Sequence, residues 1–112
     1  MKPALRFVLA ICGGAVACAP PALTPTGSRV EAMKADPPSQ CAEVGSVEGF
    51  WNGDGYEDSA NGAKTKLRNA AGERGANYVR LETTNGAGTR FTGTAFKCPD
   101  GVKVPEGASS KP

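Results

Sequence analysis

The chain contains no histidine, which removes the side chain that most often moves protons near neutral pH. Its hydroxyls and carboxylates fall in loops or alternate along strands without a nucleophile motif, so the expectation is a protein that is not an enzyme and needs no cofactor. Four cysteines are present but no C-x-x-C pair. With no histidine to complete a tetrahedral set, zinc is not expected. Aromatic residues make up 6% of the chain, with one Trp and two Tyr, so any core must be built largely from small side chains. No apolar run approaches the ~20 residues that span a bilayer. Charge of one sign is also missing. Lys2 and Arg6 account for the whole net charge of +2, and the sequence after Ala17 is balanced, which excludes the basic footprint of a nucleic-acid binder.

What is present begins with Lys2 and Arg6 ahead of an apolar stretch from Phe7 to Ala17, the pattern of a secretory signal peptide over residues 1–17. Ala15-Val16-Ala17-Cys18 then sets small residues before a cysteine. It resembles a lipobox, in which the Cys18 thiol takes a diacylglyceryl group, although Ala15 stands where Leu is usual and the same residues fit an A-x-A site for simple secretion. The earlier window Leu9-Ala10-Ile11-Cys12 fails, because branched Ile11 occupies a position that needs a tiny residue.

Cysteine parity favours lipidation. Cys12 leaves with the signal peptide, acylation consumes Cys18, and Cys41 and Cys98 remain as one pair for an oxidising compartment. Closing that loop would stabilise a small domain by about 4 kcal/mol on the chain-entropy model. The alternative is two reduced thiols or half of a metal site.

Residues 18–40 hold Pro20, Pro21, Pro25, Pro37 and Pro38 without apolar periodicity, and are expected to form a disordered tether behind the lipid. Residues 99–112, again rich in Pro, Gly and Ser, are expected to be a disordered tail. The domain is thereby assigned to residues 41–98. "CAEVGSVEG" forms a first strand whose Val44 and Val47 are out of phase, which predicts a bulge at Gly45 or Ser46. A helix is predicted from about Ser59 to Arg74, burying Ala60, Ala63, Leu67, Ala70 and Ala71 and ending at a left-handed Gly75. Asn77, Val79, Leu81 and Thr83 alternate with Tyr78, Arg80, Glu82 and Thr84 in a half-buried second strand, and "NGAG" turns it into a third, "TRFTGTAFKC". A Cys41–Cys98 bond would set the first strand antiparallel to the third. The expected fold is α+β: a three-stranded sheet of order 1-3-2, one crossover helix on one face and one disulfide.

Candidate sites are few. "NGDGYED" offers oxygens from Asn52, Asp54, Glu57 and Asp58, but aligning Gly55 with the EF-hand glycine puts Phe50 at the first ligand position and Asn61 where the bidentate Glu belongs. A turn with Glu57 and Asp58 at the helix start fits better. Residues 41–58 carry five acids and no base, and residues 59–98 seven bases and two acids. Lys64, Lys66, Arg68, Arg80 and Arg90 give a basic face for an acidic protein or lipid headgroups, Phe50, Trp51 and Tyr56 a loop of aromatics suited to a partner, and Trp51, Tyr56, Lys64, Lys66 and Arg68 together are the candidate partner surface. The alternatives are a solvated helix face and aromatics that cap the core.

The residues "LRNAAGERGANYVRLE" and "GTAFKC", with Cys41-Ala42-Glu43-Val44-Gly45 in front, resemble the small bacterial lipoprotein domains related to RcsF, the outer-membrane sensor of an envelope-stress phosphorelay. The resemblance covers most of residues 41–98. It implies an outer-membrane lipoprotein in the cell envelope, attached to the membrane at Cys18, that meets another envelope protein and has a place in stress sensing. Ala19 after the lipid cysteine, instead of Asp, agrees with export from the inner membrane. A soluble periplasmic module for a small ligand or metal, or a structural envelope component, are the other expectations.

Overall fold

The computed structural model describes residues 19–101. The expected signal peptide, Cys18 and most of the expected tail lie outside the described residues. A 3-10 turn at Gly27–Arg29 precedes strand β1 (Glu31–Met33), β2 (Ala42–Phe50), helix α1 (Tyr56–Glu73), β3 (Tyr78–Thr84) and β4 (Arg90–Lys97). The sheet has four strands in the order β1-β3-β4-β2. It is mixed, since β1 runs parallel to β3 while β4 is antiparallel to both β3 and β2. The expected three-stranded sheet of order 1-3-2 is therefore incorrect: an edge strand comes from the stretch expected to be a tether.

The reason lies in Val30 and Met33. Val30, 1% exposed, joins the core under the helix, and Met33, 4% exposed, joins a second cluster on the opposite sheet face with Tyr78, Phe96 and Cys98. A three-residue strand is too short to display a period of two, so the pattern that reveals longer strands is absent here. Prolines on either side do not prevent it, because an edge strand needs ladder bonds on one side only.

α1 starts three residues before its expected position and carries Glu57 and Asp58 in its first turn, where negative charge suits the exposed N–H groups. Asp58 Oδ2 accepts the Asp54 N–H at 2.7 Å and Ser59 Oγ accepts the Gly53 N–H at 2.9 Å, so the acidic loop is tied to the helix start. Ala60, Ala63, Leu67 and Ala71 are buried against the sheet, whereas Ala70 is only half-buried. The small stripe lets the helix lie low over β2. At Gly49 a side chain would run into the Ala63 carbonyl and the Leu67 backbone. The bulge in β2 falls between Glu43 and Gly45, one position ahead of the expected one.

The helix ends in a Schellman motif. The Gly75 N–H bonds the Gly72 carbonyl at 3.0 Å and the Ala76 N–H bonds the Ala71 carbonyl at 3.0 Å, with Gly75 at φ +83°. The turn aims the chain back along the sheet, so that Val79 lands beneath Leu67 in the main core. Cys41 and Cys98 form a disulfide just past the Ala42–Lys97 pair, closing β2 onto β4.

Replacing Gly75 tests the corner. No atom lies within 4 Å of where a side chain would start, so the penalty is conformational. Gly75→Val should lower unfolding stability by roughly 1–3 kcal/mol, and Gly75→Asn by clearly less, because Asn tolerates the left-handed region. Denaturant melts with the disulfide intact check this; equal losses for the two variants would refute it.

Candidate functional site

Helical geometry divides the predicted surface. Lys64 and Arg68, four residues apart, share one flank of α1. With Asn61 and Thr65 they face Val30, Glu31 and Ala32 across an open groove of about 510 Å³. The groove thus combines the outer strand of the sheet with two cations and one carboxylate. Lys64 also stands 5.7 Å from the centre of the Phe91 ring. Arg68 is partly committed, since its Nε donates to the Val30 carbonyl at 2.9 Å.

Lys66 faces the other flank. There it lines a groove of about 480 Å³ with Glu48, Gly49, Phe50, Asn69, Ala70 and Glu73. Trp51 is half-buried with its indole against Gly62, and its Nε1 is buried without a partner among the described residues. Tyr56, 55% exposed, lies beside Gly88 of the β3–β4 turn. Phe50, 51% exposed, is stacked under Arg90, which also pairs with Glu48 at 2.8 Å. The five residues proposed as one partner surface therefore occupy a basic groove (Lys64, Arg68), a mixed groove (Lys66) and an aromatic end (Trp51, Tyr56). Among the described residues no three of His, Cys, Asp or Glu converge to hold a metal.

Residues not singled out as a site organise much of the rest. Asn69 Oδ1 accepts the Thr24 N–H at 2.9 Å and the Thr24 hydroxyl at 3.2 Å, and its Nδ2 donates to the Ala22 carbonyl at 3.0 Å. Arg68 holds the same strand of chain at Val30. On the opposite face, the Tyr78 hydroxyl donates to the Ala35 carbonyl at 2.6 Å, and Arg80 pairs with Asp36 at 3.0 Å. The family-like run "LRNAAGERGANYVR" is thus a clasp that grips residues 22–36 from both layers. The presence of side-chain amides beside core positions is the only sequence signal for it.

Electrostatics follow this packing. Burial pushes the Tyr78 phenol above its ordinary value, with Asp36 and Glu31 adding to the shift. On the exposed part of that face, the Thr94 hydroxyl and then Arg80 hold the Glu82 carboxyl below its ordinary value, through bonds of 2.7 and 2.9 Å. At the other sheet edge, Arg74 donates to the Ser46 carbonyl at 2.7 Å and reaches the Val44 carbonyl at 3.4 Å. A charged side chain laid along an outer strand hinders further strand pairing. Beside β1 the comparable contact is the bond from Arg68 to the Val30 carbonyl, at the start of the strand.

Among the described residues no helix is long and apolar enough to cross a membrane. The family model described as a domain of unknown function (DUF4156) matches residues 21–98. That span takes in the clasped segment as well as the stretch between the cysteines. No curated protein and no solved structure matches the chain.

Asn69→Ala should free the gripped segment without dissolving the core. Hydrogen exchange at the Thr24 amide is expected to speed up about tenfold or more, as for loss of hydrogen bonds worth about 1.4 kcal/mol or more. Exchange in β4 should change far less. Unaltered exchange at Thr24 would contradict the clasp.

Proposed function

We propose a function from the premise that the chain belongs to the DUF4156 family: it is a bacterial envelope lipoprotein, anchored at Cys18, whose disulfide-stapled domain works by protein interaction. One observation carries the reading. The bond between Cys41 and Cys98 leaves Cys18 as the odd thiol once a signal peptide containing Cys12 is removed. Secretion without acylation would strand a reactive cysteine in an oxidising compartment; lipidation consumes it.

The groove beside β1 is the interaction surface best supported by chemistry. Lys64 and Arg68 flank an outer strand, so an extended acidic segment of another envelope protein would find cations on one side and, past the Val30 carbonyl that Arg68 occupies, the outer edge of β1 on the other. The resemblance to RcsF-like domains supports a place in envelope-stress sensing, and Ala19 supports residence in the outer membrane. RcsF-like sensors carry two disulfides where this domain has one, so the resemblance lends its architecture more strongly than its signalling surface.

Two measurements test the proposal. Cells expressing the full chain should incorporate radioactive palmitate, and Cys18→Ser should abolish incorporation; labelling that persists would remove the anchor. A photo-crosslinking residue in place of Thr65, inside the groove, should capture an envelope protein, and Lys64→Glu should cut the yield several-fold. That change costs at most about 1 kcal/mol of stability through the lost contact with Phe91, so a lower yield reports on recognition. An undiminished yield would move the interface elsewhere.

A further inference from the structure

We propose that the anchored domain is held flat against the leaflet that carries its own lipid, with residues 19–29 facing the headgroups. This rests on the reading that Cys18 is lipidated. The observation behind it is where the grip on the chain begins. The Ala22 carbonyl is already bonded to Asn69 of α1 at 3.0 Å, and the Thr24 N–H to the same side chain at 2.9 Å. From Cys18 to Ala22 is four residues, which fully extended reach at most about 14 Å. The headgroup layer itself takes up roughly 5–7 Å of that distance. The roughly 7–9 Å left is less than the diameter of one helix, too little for a domain to stand clear of the surface.

The chemistry of the strip suits that neighbour. Ala19, Pro20, Ala22, Leu23, Pro25, Thr26, Ser28 and Arg29 are exposed, a set with no acid and one cation. Leu23, 39% exposed, is the exposed large hydrophobic residue nearest the anchor, placed to enter the interface. The flank of α1 beside the strip carries Lys66 and Glu73, whose charges offset each other. Such a surface would bind a bilayer weakly in solution, but a four-residue leash raises the local concentration enough to hold it there. The opposite sheet face, where Thr83 and Thr92 meet and Thr94 meets Glu82, is then turned toward the aqueous compartment.

The test uses the full lipidated chain in phospholipid vesicles. A fluorescent amino acid replaces Leu23 in one preparation and Thr92 in another, and quenching by brominated phospholipid is compared. Position 23 should be quenched several-fold more than position 92. Ser28 and Thr83 form a second pair that leaves Leu23 in place and should give the same contrast. Equal, weak quenching at both positions of each pair, with palmitate incorporated, would overturn the docked orientation and leave the anchor standing. Absence of palmitate would instead overturn the anchor reading on which the proposal rests.

Discussion

The carboxamide of Asn77 lies across the backbone of Cys98, and most of the sheet depends on that contact. Its Oδ1 accepts the Cys98 N–H at 2.7 Å and its Nδ2 donates to the Cys98 carbonyl at 2.9 Å. A side chain thereby continues the β3–β4 ladder for one residue after β3 has bent toward the helix. The backbone of Asn77 is also used on both sides, bonding the Phe96 carbonyl at 3.0 Å and receiving the Glu31 N–H at 3.1 Å. One residue thus joins β4, the disulfide and the outer strand β1. A half-buried amide is favourable in such a position when its oxygen and nitrogen both find partners, as they do here.

That arrangement explains why the run through Gly75 looks like a signature. Each position answers a different packing demand: Leu67 and Ala71 fill the core, Arg68 and Asn69 grip the N-terminal segment, Gly75 makes the left-handed turn, Asn77 brackets Cys98, and Tyr78 closes the second cluster. With so few large side chains in the chain, alanine and glycine allow backbones to approach and polar side chains fasten what the apolar contacts leave loose. The disulfide adds to this by restricting the unfolded chain.

Much of this was legible in the sequence because long elements announce themselves. The helix repeats its buried apolar residues, Ala60 to Ala71, over about three turns, and β3 and β4 are long enough to alternate. β1 is three residues long, and its hydrogen bonds go to one strand on one side. The segment around it is stabilised by Asn69, Arg68 and Tyr78, residues distant in sequence, so a local reading sees only proline and small residues and infers disorder. Tyr78 was misplaced for a related reason. Alternation put it on the solvent face, and only the return of Met33, Ala35 and Cys41 over that face buries it. The candidate surface divides for another reason: Lys64, Lys66 and Arg68 are close in sequence, but a two-residue step on a helix is a turn of about 200°, which sends Lys66 to the far flank.

The same clasp links fold to function. A tether would separate the location of a lipid anchor from the orientation of the domain it carries, leaving every face equally free to meet a partner. A segment gripped from its fourth residue after Cys18 couples the two. If Cys18 holds the lipid, the choice of Asn69 as the attachment point also chooses which face lies down. The groove of Lys64 and Arg68 then sits along the side of the anchored domain, between membrane and solvent, where an extended segment emerging from another envelope protein would pass. Orientation of the anchored domain would then be set by hydrogen bonds within the fold, and a change that loosens Asn69 would alter what the domain can reach even if every residue of the groove were left untouched.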